Sequence, residues 1–141
     1  SYSVTGVQTC ALPIYLVLST LHTVGAAKTI DRIIDVFPPS QQQQIRIQLS
    51  TVLQAVVSQQ LLPGITGSLV PSFEIMLVNN AIRNMIRDGK TPQVDGVIQM
   101  GAASGMMTMD MCLATLLRTG QISREDALLH AVNQEAVLRY L

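Results

Sequence analysis

The sequence predicts an α/β chain, with its strands in the first part and helices alone in the second. Two observations carry this. Short aliphatic or alternating runs bounded by Gly and Pro fall before Val78, and beyond it apolar residues recur at helical spacing between capping residues. The 141 residues suffice for one modest domain with a hydrophobic core.

Tyr15 to Leu21 is short and aliphatic and runs into His22-Thr-Val-Gly25, the pattern of a buried strand ending in a polar turn. Ala26 to Phe37 places Ile30, Ile33, Ile34 and Phe37 on one helical stripe, opposite Lys28, Asp31, Arg32 and Asp35, and Pro38-Pro39 stops it. Ser40 then reads as the N-cap of a second helix running to about Ser58, with Ile45, Leu49, Val52, Leu53 and Val56 as its buried stripe. Gln59–Leu62 and Leu69–Leu77 read as short strands joined through Pro63-Gly64 and Gly67. Asn80 is placed to cap Ala81–Asp88, which Gly89 ends, and Pro92 opens a helix towards Gly101. Thr108 opens Met109–Arg118, stopped by Gly120, and Ser123 with Asp126 forms a capping box before Ala127–Val132.

Composition excludes several classes of function. Lys plus Arg number 9 and Asp plus Glu number 9, so there is no basic excess for nucleic acid, and with no Trp there is little to build a base-stacking platform. No apolar run approaches the roughly 20 residues needed to span a bilayer. Cys10 and Cys112 are isolated, with no CxxC spacing, which suits a reducing, cytoplasmic setting. Zinc-ligand spacing, paired carboxylates and a nucleophile elbow are all missing. So are a GxxxxGK[ST] phosphate loop and a strand ending in an acidic pair.

Ser1 to Ile14 differs in character from the rest of the chain. Val4 to Ile14 resembles the translation of a common sequencing-library adapter, so the native chain is expected to begin near Tyr15, with Cys10 lacking a biological role.

From Tyr15 onward a family resemblance covers essentially the whole chain. Ser19-Thr-Leu-His-Thr23, followed by Ala26-Ala-Lys-Thr-Ile-Asp-Arg-Ile-Ile-Asp-Val-Phe-Pro38, resembles the histidine-box region of secretion and pilus ATPases. Ile45–Ser50 and Val57–Pro63 continue the pattern. Ala81-Ile-Arg-Asn-Met-Ile-Arg-Asp88 resembles the carboxy-terminal motif of the retraction ATPases of twitching motility. Ile98-Gln, Gly105-Met, Thr108-Met-Asp110 and Gly120–Glu125 complete the match.

The resemblance implies the carboxy-terminal part of a RecA-like nucleotide-binding domain, a partial sheet with helices over residues 15–78, and an all-helical region over 79–141. It implies a parent motor that is a homo-hexamer using ATP and Mg. That motor would act on the type IV pilus machinery at the cytoplasmic face of the inner membrane. The phosphate loop, the acidic boxes and a PAS-like domain are expected upstream of Tyr15, so this chain alone should neither bind nucleotide tightly nor hydrolyse ATP. Pilus-assembly or type II secretion ATPases are a second reading. Many of these carry a four-cysteine insert, absent here, and they lack the Ala81–Asp88 motif. A non-enzymatic helical interaction module is a third.

Individual residues carry more than one reading. From sequence alone, a single His after a strand satisfies a turn; the resemblance makes His22 the sensor of the nucleotide's terminal phosphate. Thr20 and Thr23 either assist it or satisfy local backbone groups. Ala81, Ile82, Arg83, Asn84, Met85, Ile86, Arg87 and Asp88 read as an amphipathic helix, and by resemblance as a surface needed for retraction rather than hydrolysis. Arg32 reads as a solvated ion pair with Asp35. The Met106–Cys112 run offers soft sulfur ligands, but its spacing reads as core filling. Gln41–Gln44 reads as a solvated first helical turn.

Overall fold

In the computed structural model, which describes residues 16–141, an antiparallel hairpin carries a set of helices on one of its faces. Strand β1 (Ala55–Pro63) pairs with β2 (Leu69–Leu77) in the register Val56↔Met76, Ser58↔Glu74, Gln60↔Ser72 and Leu62↔Val70. Helices α1 (Ala26–Asp35) and α2 (Pro39–Val52) precede it. Helices α3 (Asn80–Arg87), α4 (Val94–Met100), α5 (Met109–Arg118), α6 (Arg124–Leu129) and α7 (Gln134–Arg139) come after it. This is the α/β class the sequence predicts, with a partial sheet followed by helices.

The hairpin's covered face explains the packing. Strand side chains alternate between faces, so the residues at 56, 58, 60 and 62 share one side with their partners on β2. Apolar pairs stand at both ends of that face and polar pairs in the middle. The Val56–Met76 end joins a core with Ala26, Ile30 and Ile34 of α1, Ile82 and Ile86 of α3, and Val94 and Ile98 of α4. The Leu62 end joins a second core with Met109 and Leu113 of α5, Ala127 of α6 and Val137 of α7. The first core takes residues from both sides of position 78. The hairpin's opposite face is apolar and open: Val57 is 61% exposed and Leu61 53%. The outer edge of β2 exchanges two hydrogen bonds with Met107 at Ile75, whereas β1 has no ladder partner other than β2 among the described residues.

Several expected boundaries move, each for a physical reason. Residues 16–21 form no strand: no described strand lies beside them to complete a ladder, and Leu16 and Leu18 are largely exposed. Tyr15 and the adapter-like Ser1–Ile14 lie outside the described residues. The second helix starts at Pro39 rather than after Ser40, because the missing Pro N–H costs nothing in the first turn. It stops at Val52, not near Ser58, since pairing with β2 claims residues 55 onward and puts Val56 in the sheet. Asn79, not Asn80, caps α3 by accepting from the Ile82 N–H at 3.0 Å. Ser123 caps α6 by accepting from the Asp126 N–H, and its hydroxyl, rather than the backbone N–H of a full capping box, donates to the Asp126 carboxylate; α6 ends at Leu129. Asn133 then starts the unforeseen α7, its side-chain carbonyl accepting from the Glu135 and Ala136 N–H groups. Arg32 is exposed and makes no ion pair among the described residues; the pairs found are Arg46–Asp31 and Arg87–Asp88. Met106, Met109 and Cys112 are buried, packed as core. Among the described residues no helix is long and apolar enough to cross a membrane.

Candidate functional site

The expected site residues fall in two places. Thr20, His22 and Thr23 lie on the irregular segment leading into α1, and Ala81–Asp88 forms α3 with its C-cap. No hydrogen bond joins the two groups among the described residues.

His22 is exposed and has no hydrogen-bond partner among the described residues, so its ring is not committed to a turn. Thr20 is exposed on the wall of an open groove of about 540 Å³, which Thr23, Thr29 and the edge of β1 also line. The Thr23 hydroxyl lies 2.8 Å from that of Thr29, whose Oγ1 donates to the Gly25 carbonyl at 2.8 Å. Thr23 thus has the local structural partner one of its readings expects. Gly25 turns the chain into α1 with φ +96°, a conformation that an L side chain rarely adopts. Its N–H donates to Ser58 Oγ at 3.2 Å, and the Ala26 N–H donates to Glu74 Oε1 at 2.7 Å.

Helix α3 divides its motif between interior and surface. Ile82 and Ile86 are fully buried, and Met85 packs against the same core. Arg83 Nη1 donates to the Ser50 and Thr51 carbonyls at 2.8 and 2.9 Å, satisfying orphan groups at the end of α2. Arg83 is therefore a cap between helices, which the amphipathic pattern did not reveal. Ala81, Asn84, Arg87 and Asp88 remain exposed. Arg83→Ala is expected to destabilise the fold by about 1–3 kcal/mol, the range for losing charge-assisted hydrogen bonds at partly buried carbonyls. Urea unfolding reads this directly, and a loss below about 0.5 kcal/mol would mean the cap contributes nothing.

Glu74, in the polar middle of the hairpin, lines a cavity of about 250 Å³ whose walls also include Asp95, Thr108, Asp110, Asn133 and Tyr140. Burial pushes the Glu74 carboxyl above the usual glutamate range; the Ala26 N–H opposes this and the Asp95 charge adds to it. Asp95 is raised by burial first and then by Asp110, against the pull of Lys28. Asp110 accepts from the Val132 and Asn133 N–H groups and so ties α5 to the start of α7. Among the described residues no group of His, Cys, Asp or Glu is arranged to hold a metal ion. Sequence reading missed Glu74 and Ser58. The available signal was a carboxylate, Glu74, within the expected strand Leu69–Leu77; Ser58 gave none, because it fell at the end of the expected second helix.

The hairpin thus carries both the histidine-bearing segment and the helices on its covered face. No family model matches the chain. The twitching motility protein of Neisseria gonorrhoeae is 49% identical over 124 residues, 87% of this chain and 33% of its own length. The type IV pilus retraction ATPase PilT of Pseudomonas aeruginosa is 50% identical over 113 residues, 80% of this chain and 33% of its own length. A crystal structure of the pilus retraction motor PilT with bound ADP matches 94% of this chain and 38% of that one, with TM-score 0.79 and 41% identity. The chain thus spans about a third of the length of the curated relatives it matches. The fold is that of part of a secretion-superfamily motor ATPase. Within that class, the chain is similar to the twitching-motility, PilT-type ATPases over four fifths or more of its own length.

Proposed function

We propose that the chain is the rear part of a hexameric, magnesium- and ATP-dependent motor that retracts type IV pili and so drives twitching motility. The observation that carries this is near-half identity to retraction ATPases through most of the chain, on a fold that matches the retraction motor at TM-score 0.79. In this reading residues 15–78 belong to the nucleotide-binding domain and residues 79–141 to the helical region behind it. The motor works at the cytoplasmic face of the inner membrane, where the pilus machinery is its partner. His22 donates a hydrogen bond to the nucleotide's terminal phosphate, and its exposure and lack of an internal partner support that role. The upstream part of the motor supplies the phosphate cradle and the magnesium ligands. Retraction, as distinct from hydrolysis, depends on the outward face of α3.

The exposed half of α3 makes this testable without disturbing the fold. Among the described residues the Arg87 side chain bonds only to exposed neighbours: its Nη2 donates to Asn84 Oδ1 at 2.7 Å, and its Nε lies 3.5 Å from Asp88. Contacts of this kind contribute about 0–1 kcal/mol. In the full-length motor, Arg87→Ala should leave ATP hydrolysis within about twofold of wild type while pilus retraction falls by about tenfold or more. Parallel loss of both activities would make α3 a structural helix. Unchanged retraction would remove Arg87 from the pilus-facing surface.

A further inference from the structure

The His22 segment has no regular structure of its own, so its position depends on what grips it. Three attachments lie within the four residues after His22. Thr23 meets Thr29 through their hydroxyls at 2.8 Å, the Gly25 N–H donates to Ser58 at 3.2 Å, and the Ala26 N–H donates to Glu74 at 2.7 Å. Ser58 and Glu74 are direct partners across the hairpin, so both acceptors stand side by side on its covered face. Both are almost fully buried. Gly25, the N-cap of α1, has no side chain with which to cap its own helix, and the hairpin supplies the acceptors in its place.

We infer that Ser58 and Glu74 are positioning residues, a cross-strand clamp that fixes Gly25 and Ala26 and through them sets where His22 can reach. This rests on the reading of His22 as a phosphate sensor. Two residues separate His22 from the clamp at Gly25, a span of about 10 Å from Cα to Cα at full extension. Thr23 is itself tied, which leaves Val24 as the one free link, so a shift at the clamp passes to the imidazole with little slack. Mispositioning a reacting group by about 1 Å can lower turnover by about 10²-fold, and two amide hydrogen bonds are enough to hold or lose that distance. Glu74 also faces the cavity walled by Thr108 and Asp110 of the α5 region. The grip on the His22 segment therefore stands against the helical region. Glutamine keeps the length of the side chain and an oxygen that can accept from the Ala26 N–H, which makes it a close mimic.

The test uses the full-length motor and separates positioning from folding. Glu74→Ala should lower kcat by about tenfold or more and leave KM for ATP within about twofold, because the upstream phosphate loop binds the nucleotide. Hydrogen exchange at the Ala26 amide should quicken by about tenfold or more. Glu74→Gln, whose amide oxygen still accepts from Ala26, should keep kcat within about twofold. A folded Glu74→Ala enzyme with wild-type kcat would overturn the clamp, and so would Glu74→Gln proving as slow as Glu74→Ala. If Glu74→Ala does not fold, Ser58→Ala decides: a fall in kcat of about threefold at unchanged KM supports the clamp, and unchanged kcat overturns it. His22→Ala runs alongside. Loss of turnover there with none in folded Glu74→Ala condemns the clamp alone. Full turnover in His22→Ala overturns the reading on which the clamp rests.

Discussion

Ile82→Asp is expected to unfold the protein. Ile82 is fully buried, packed in the core that α3 shares with Ile30 and Ile34 of α1 and with Val94 and Ile98 of α4. Removing the side chain alone costs about 2–5 kcal/mol in a site that cannot collapse. A carboxylate put there adds several kcal/mol, because the core around Ile82 holds no cation among the described residues to pair with it. Together these match the roughly 5–15 kcal/mol that holds a whole domain. Ile82→Val should cost only about 0.5–1.5 kcal/mol, and Ala81→Asp, one residue away on the exposed side, within about 0.5 kcal/mol. Urea unfolding followed by far-ultraviolet circular dichroism tests all three. A cooperative Ile82→Asp transition less than about 2 kcal/mol below wild type would show that α3 does not pack into this core.

That contrast bears on how the Ala81–Asp88 motif is read. Its apolar members hold the domain together and Arg83 caps α2, so disruptive substitutions at Ile82, Arg83 or Ile86 act on stability before they report on any surface. Ala81, Asn84, Arg87 and Asp88 remain as positions whose loss reports on a surface. A motif found by resemblance marks the residues together; only burial separates their tasks.

The parts legible in the sequence were those decided locally. Thr108 and Ser123 lie beside the helices they cap, and their hydroxyls bond three residues ahead, as the spacing foretells. The helical stripe Ile30, Ile33, Ile34 fits α1 for the same reason. What escaped was decided between distant residues. Val52, Leu53 and Val56 keep a helical period, yet Val56 sits in β1 because Met76, twenty positions on, pairs with it. Arg83 looks like any solvated helix arginine until α2 brings the Ser50 and Thr51 carbonyls to it. Glu74 is the clearest case. Its partner, the Ala26 N–H, lies 48 residues away, and no local pattern joins a strand carboxylate to the start of an earlier helix. Tyr15–Leu21 failed the other way: the strand pattern is there, but no described neighbour offers a ladder.

With His22 in its proposed role, His22→Ala in the full-length motor should lower ATP turnover by about 10²-fold or more, the loss typical of removing one preorganised donor to developing transition-state charge. The structure makes this a clean experiment. His22 is exposed and has no partner among the described residues, so its removal should change folding stability by less than about 0.5 kcal/mol. A fall in turnover at constant stability then has to come from the reaction. Thr23 provides the opposite expectation. Its hydroxyl is engaged with Thr29, so Thr23→Val should loosen the segment and slow turnover only through His22. Combining Thr23→Val with His22→Ala should then add nothing beyond His22→Ala alone, because residues acting as one unit are not additive. Additive losses would give Thr23 a role of its own at the phosphate. Unchanged turnover in His22→Ala would return the imidazole to an ordinary exposed turn residue.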